Sequence, residues 1–194
     1  RTYDTGRSIL HLAGNKKFVD TFLVVIQFGS ILAVILLYFD KLNPFSSSKS
    51  EKAKRATWDL WIKVLIAVIP SGVIGVLFEK KIDAVFFKPT VVAAALVIYG
   101  VIMIWIESRH KKPVITKFSN LSYKTALLIG VFQILALVPG TSRSGSTIIG
   151  ALLLGTSRFI AAEFSFFLAI PTMLGASLLK LVKAGFAFSG FEWF

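Results

Sequence analysis

The chain predicts an all-α, polytopic integral membrane protein with inverted repeats and re-entrant half-helices, on three observations. Apolar runs long enough to cross a bilayer recur along it, and the mean hydropathy is +0.75 with 55% hydrophobic residues. Most basic residues fall in short segments between those runs, so the net charge of +12 reads as topology signals and anionic-lipid contacts, not as a nucleic-acid surface. A polar run, Pro139-Gly140-Thr141-Ser142-Arg143-Ser144-Gly145-Ser146-Thr147, separates two apolar segments, Ala126 to Val138 and Ile148 to Leu154, each too short to be a span. Non-helical polar backbone at membrane depth is tolerated only where protein buries it or a watery cavity solvates it.

In chain order, residues 1 to 20 are mixed and carry no signal-peptide pattern. The first span runs from about Thr21 to Phe39, followed by a loop from Asp40 to Asp59 bearing Lys41, Lys49, Lys52, Lys54 and Arg55. The positive-inside rule makes that loop cytoplasmic. The second span covers Trp58 to Phe78, with a kink or unwinding expected at Pro70-Ser71-Gly72. A charged link from Glu79 to Thr90 faces outward, and the third span, Val91 to Ile106, returns to a basic loop with Arg109, Lys111, Lys112, Lys117 and Lys124. Two half-helices, Thr125 to Val138 and Thr147 to Leu154, flank the polar run, which enters and leaves from the cytoplasmic side. A last span from Ala161 to Val182 precedes an aromatic tail, Ala184 to Phe194.

The polar run has the chemistry of an anion site. Gly140 and Gly145 let the backbone turn tightly and approach a ligand. Thr141, Ser142, Ser144, Ser146 and Thr147 supply hydroxyls around the permanently charged fork of Arg143. A helix starting at Ser146 would aim free N–H groups and a positive dipole end at the same anion. Phosphate suits that set; the plainer reading is a surface loop whose arginine snorkels to headgroups. Zero cysteines exclude disulfides and thiolate chemistry, and two histidines argue against a histidine-rich metal centre. Glu163 starts the last span, with Arg158 as its expected ion-pair partner and the cavity as its other candidate place; Gln27 lies within the first span and either bonds a neighbouring helix or lines the cavity. His11 reads as structural.

Gly14-Asn15-Lys16-Lys17-Phe18 recurs as Gly155-Thr156-Ser157-Arg158-Phe159, each before a span with a small-residue pair, Gly29-Ser30 and Gly175-Ala176. The topology makes the copies antiparallel, an inverted repeat. The repeat predicts one incomplete transmembrane domain over residues 1–194, with a half-helix and polar loop before Arg1 and counterparts of the second and third spans after Phe194.

Pro139 to Ile148 resembles the second signature motif of bacterial undecaprenyl-diphosphate phosphatases, the bacitracin-resistance family. The similarity extends through Asp20 to Val34 and from Ser157 to Phe166 and Pro171. The resemblance implies a plasma-membrane enzyme with two re-entrant loops meeting at a cavity open to the outer face. It would hydrolyse a polyprenyl diphosphate lipid to monophosphate and phosphate, recycling the carrier of cell-wall synthesis. It also implies a divalent cation, Mg or Ca, and is compatible with an oligomer. The family's first motif, a glutamate-bearing helix and a Ser-Ser-Thr-Gly-His loop, is not present; Asp4-Thr5-Gly6-Arg7 is a degraded echo of it. Only the phosphate-gripping half is visible. Arg143 is the expected catalytic residue, with Ser142 and Ser144 as nucleophile or, more in keeping with the absence of an activating group, as hydrogen-bond donors. An inverted-repeat transporter of an anionic substrate is the alternative reading. A lipid phosphatase with a Ser-Gly-His motif and a purely structural subunit fit less well.

Overall fold

The computed structural model describes residues 16–86, 88–109 and 112–184. The helices are α1 (Lys16–Leu37), α2 (Phe39–Leu42), α3 (Glu51–Phe86), α4 (Pro89–Ser108), α5 (Tyr123–Gln133), α6 (Arg143–Leu153) and α7 (Arg158–Ala184), with 3-10 turns at Phe118–Asn120 and Ile134–Leu137. Among the described residues the only β pairing is an isolated bridge between Ile115 and Thr156. Among the described residues three stretches are long and apolar enough to cross a membrane: Glu51–Phe78, Pro89–Ser108 and Arg158–Leu178. The chain is an all-α polytopic membrane protein.

Helix ends depart from the hydropathy boundaries. α3 begins at Glu51, not Trp58, because Ser50 Oγ accepts from Ala53 N at 3.3 Å and Glu51 pairs with Lys54 at 2.9 Å, so the charged segment is itself helical. No unwinding occurs at Pro70: the helix continues to Phe86. Ser71 Oγ donates to the Val68 carbonyl at 3.2 Å, one of the local adjustments that keep a proline-bearing helix satisfied. The charged link from Glu79 to Thr90 is therefore mostly helix as well. Pro89 opens α4 in the first turn, where its missing N–H costs nothing.

The polar run forms the tip of a helical hairpin. α5 and α6 have 11 residues each, about 16 Å of helix, half the ~30 Å of bilayer hydrocarbon. Ser122 caps α5 by accepting from Thr125 N at 3.0 Å. After the 3-10 turn the chain reverses at Gly140, whose φ of +90° is left-handed backbone that favours glycine. The return helix starts at Arg143, not Ser146. Gly155, with φ +87°, turns the chain into α7.

Apolar burial contributes little between helices already in lipid, so close packing and polar contacts must hold them. Gly130 of α5 lies directly on the Ala67 backbone of α3, and Gly150 of α6 receives the Phe132 ring of α5. Ile129, Phe164, Phe167 and Leu168 fill the space between, almost fully buried.

One end of these helices is closed by charge. Glu163 pairs with Lys41 at 2.5 Å, and Arg158 instead takes Glu107 at 2.7 Å, correcting the expected Glu163–Arg158 pair. Residues five apart on a helix do not share a face. Lys41 also lies over the Phe118 ring, 4.8 Å from its centroid. Lys63, buried, pairs with Asp59 at 2.5 Å and donates to the Phe118 carbonyl at 3.0 Å. Asp59 accepts from the Tyr123 hydroxyl. Val114 and Ile115 donate to the Gly155 carbonyl at 2.9 and 3.0 Å. The two basic loops and the α6–α7 turn therefore gather at the same end.

These contacts belong to one compact unit, residues 34–172; residues 1–33 with 173–194 form another, whose described parts are helical. There Ile31 and Ser177 are buried. Asp4 to Arg7, His11, Gly14 and Asn15 lie outside the described residues, as does the side chain of Gln27.

Candidate functional site: the arginine end of the re-entrant hairpin

Ser142 is the N-cap of α6, in extended conformation, and its Oγ accepts from Gly145 N at 3.2 Å. Arg143 and Ser144 are then the first two helical residues, whose N–H groups have no partner within a helix. Gly145 is helical, which corrects the expectation that it turns the chain. A β-carbon there would press on Ser142 Cβ at 3.2 Å, so glycine keeps room for the cap. At Gly140 a β-carbon would sit 2.7 Å from Val92 Cα, so its close backbone approach is to α4.

The hydroxyls divide into two groups. Ser142 is exposed, and Ser144 and Arg143 are half-buried. Ser146 and Thr147 are fully buried. Ser146 Oγ donates to the Ser142 carbonyl at 3.0 Å, and Thr147 Oγ1 lies 3.1 and 3.0 Å from the carbonyls of Arg143 and Ser144. Both stand behind the helix end and brace it. Thr141 is half-buried, with a hydroxyl that has no partner among the described residues.

Among the described residues the Arg143 side chain makes one hydrogen bond, Nη1 to the Ser165 carbonyl at 3.4 Å. Among the described residues no carboxylate pairs with it: Glu51, Asp59, Glu107 and Glu163 are each engaged with Lys54, Lys63, Arg158 and Lys41. A guanidinium with no carboxylate partner among the described residues, beside free helix N–H groups and hydroxyls, is a set of donors suited to an anion. It is the wrong set for a divalent cation, which takes oxygen acceptors. Among the described residues no three His, Cys, Asp or Glu side chains gather to hold a metal. Glu163, expected as cavity-lining, is 5% exposed and held by Lys41 at the charged end.

Two residues escape a reading by sequence. Gln133, 1% exposed, ends α5 with Nε2 2.6 Å from Ser71 Oγ and 3.4 Å from Thr172 Oγ1. Both partners directly follow in-helix prolines, Pro70 and Pro171. Ser71 and Thr172 spend their hydroxyl hydrogens on the Val68 and Leu168 carbonyls, so each receives the amide. A glutamine in an apolar half-helix was the available signal. Ser165, in the aromatic run Phe164 to Phe167, meets Thr147 Oγ1 at 2.7 Å.

A family model described as bacitracin resistance protein BacA matches residues 6–193. The chain is 70% identical over 179 residues to undecaprenyl-diphosphatase 1 of Clostridioides difficile, covering 92% of this chain and 65% of that protein. It is 54% identical over 195 residues to an undecaprenyl-diphosphatase of Lacticaseibacillus paracasei, covering 98% and 71%. With an undecaprenyl-diphosphatase of Acetivibrio thermocellus the identity is 57% over 178 residues, covering 91% and 65%. The chain thus spans about two thirds of the length of these relatives, and the match runs through every helix described above. The family model takes in the hairpin, its arginine and the charged end together, and on that match the chain belongs to the bacitracin resistance protein BacA family.

Proposed function

We propose that this chain carries the phosphate-gripping part of a membrane lipid-diphosphate phosphatase of the bacterial plasma membrane. It hydrolyses undecaprenyl diphosphate to undecaprenyl phosphate and inorganic phosphate. The observation that carries the reading is Arg143: a cation at the first position of a half-helix, with no carboxylate partner among the described residues. The names of the relatives supply the lipid.

Phosphoryl transfer rests on positioning and charge stabilisation. Arg143 neutralises the oxygens of the transferred phosphoryl group through its planar fork, and the N–H groups of Arg143 and Ser144 point the helix end at the same charge. The hydroxyls of Thr141, Ser142 and Ser144 complete the grip. Gly140 places the tip against α4, Gly145 leaves space for the cap, and Ser146 and Thr147 hold the first turn from behind. The lipid tail lies in the bilayer, so the hairpin meets a diphosphate at membrane depth.

Phosphate release from a soluble short-chain lipid diphosphate, measured on the purified full-length protein, tests this. Turnover is expected. Binding and translocation of the diphosphate without hydrolysis would replace the phosphatase with a transporter.

A further inference from the structure

Ser165 of α7 touches the arginine helix twice. Its hydroxyl is 2.7 Å from Thr147 Oγ1, and its carbonyl accepts from Arg143 Nη1 at 3.4 Å. Counting hydrogens gives the direction of the hydroxyl pair. Thr147 has one hydroxyl hydrogen, and the Arg143 and Ser144 carbonyls beside it, at 3.1 and 3.0 Å, can only accept. The Ser165 hydroxyl has no other acceptor among the described residues, so its hydrogen lies between the two hydroxyls and that of Thr147 goes to the carbonyls. Ser165 is 1% exposed and Thr147 0%, so water does not compete for either. The result is a short relay from α7 through Thr147 to the backbone of the two residues whose N–H groups open the helix.

We propose that Ser165 is a positioning residue for Arg143, a consequence for catalysis that rests on the phosphatase reading above. Its hydroxyl, through Thr147, fixes the peptide planes of the first turn of α6. Its carbonyl holds the guanidinium by a bond long enough to be given up to a ligand. Charge stabilisation of a transition state depends on donors that need no reorganisation, so a slack first turn slows the chemical step more than it weakens ground-state binding.

The test uses the full-length protein and the variants Ser165→Ala, Thr147→Val, Thr147→Ser and the Ser165→Ala/Thr147→Val double. Two readouts are taken: kcat and KM for a short-chain lipid diphosphate, and protection of Arg143 from phenylglyoxal by inorganic pyrophosphate, read by mass spectrometry. Ser165→Ala is expected to lower kcat about tenfold and to raise KM by less, about fivefold, at an unchanged thermal midpoint. Thr147→Ser, which keeps the hydroxyl, stays near wild type, and the double variant falls no further than Thr147→Val. A wild-type kcat in Ser165→Ala, or additive losses in the double, overturns the proposal. If Ser165→Ala is not recovered folded, Ser165→Cys carries the same readouts with a near-equal volume and a weaker donor. Absence of hydrolysis in the wild type removes the phosphatase reading alone, and pyrophosphate protection then decides. Ser165→Ala needing about fivefold more pyrophosphate supports positioning, and an unchanged midpoint, or no protection in the wild type, refutes it.

Discussion

Gly130 on α5 lies so close to Ala67 on α3 that a β-carbon added to it would stand 2.1 Å from the Ala67 carbonyl oxygen. Backbone meets backbone at this crossing, which lets the polar Gln133–Ser71 contact form one turn further on at 2.6 Å. Gly130→Ala must push the helices apart, and a loss of about 3 kcal/mol is expected, at the upper end of overpacking costs. Gly100 on α4 has nothing within 4 Å of its missing β-carbon. Gly100→Ala should be neutral or stabilise by up to about 1 kcal/mol. Thermal midpoints of both variants in detergent check the contrast.

The two glycines of the polar run should differ. Gly140 combines φ +90° with the Val92 backbone at 2.7 Å, whereas Gly145 is helical with only the Ser142 side chain near. Gly140→Ala should abolish both folded yield and activity. Gly145→Ala should fold and lose activity through a displaced cap. Equal tolerance of the two changes would contradict the hairpin geometry.

The Lys41–Glu163 pair is unequally exposed, with 38% of the Lys41 side chain accessible against 6% of Glu163. Lys41→Met strands a buried carboxylate and should cost about 3 kcal/mol. Glu163→Gln frees a lysine that reaches water and should cost about 1 kcal/mol. Adding Glu163→Leu to Lys41→Met should recover most of the loss. Denaturant unfolding of the three variants reads the order directly.

Arg143→Lys keeps charge and loses the fork; Arg143→Ala loses both. Both should lower kcat for lipid diphosphate hydrolysis, alanine on the order of 10³-fold and lysine less. A raised KM with unchanged kcat would assign Arg143 to ground-state binding. An unimpaired lysine variant would mean that the side chain merely reaches headgroups.

Ser47 and Ser119 are exposed on loops gathered at the charged end. Ile82 lies further along α3, about 34 Å of helix beyond Asp59. Cysteines at Ser47 and Ser119 should react with an impermeant reagent from the cytoplasm, and one at Ile82 only from outside. Labelling of Ser47 and Ser119 from opposite sides would break the shared end.

Hydropathy read along the chain shows where it is apolar and where that pattern is broken. The candidate spans, the two half-helices and the exceptional position of Arg143 follow from it, because the cost of polar groups in lipid is local and can be summed along the chain. Helix ends were not legible in this way. Hydropathy marks the bilayer, while Glu51 and Arg143 start helices because Ser50 and Ser142 satisfy N–H groups there. Partners were less legible still. Glu163 takes Lys41, 122 positions away, rather than Arg158, and Thr147 meets Ser165 on another helix. Ser165 looks unremarkable in the chain and Gln133 shows only as a polar residue in an apolar half-helix, since only the packing of α3, α5, α6 and α7 brings their hydrogen-bond partners within reach. Tertiary structure alone decided these, because a buried hydrogen bond is chosen by distance and direction in space, and sequence spacing fixes neither beyond a few turns of one helix.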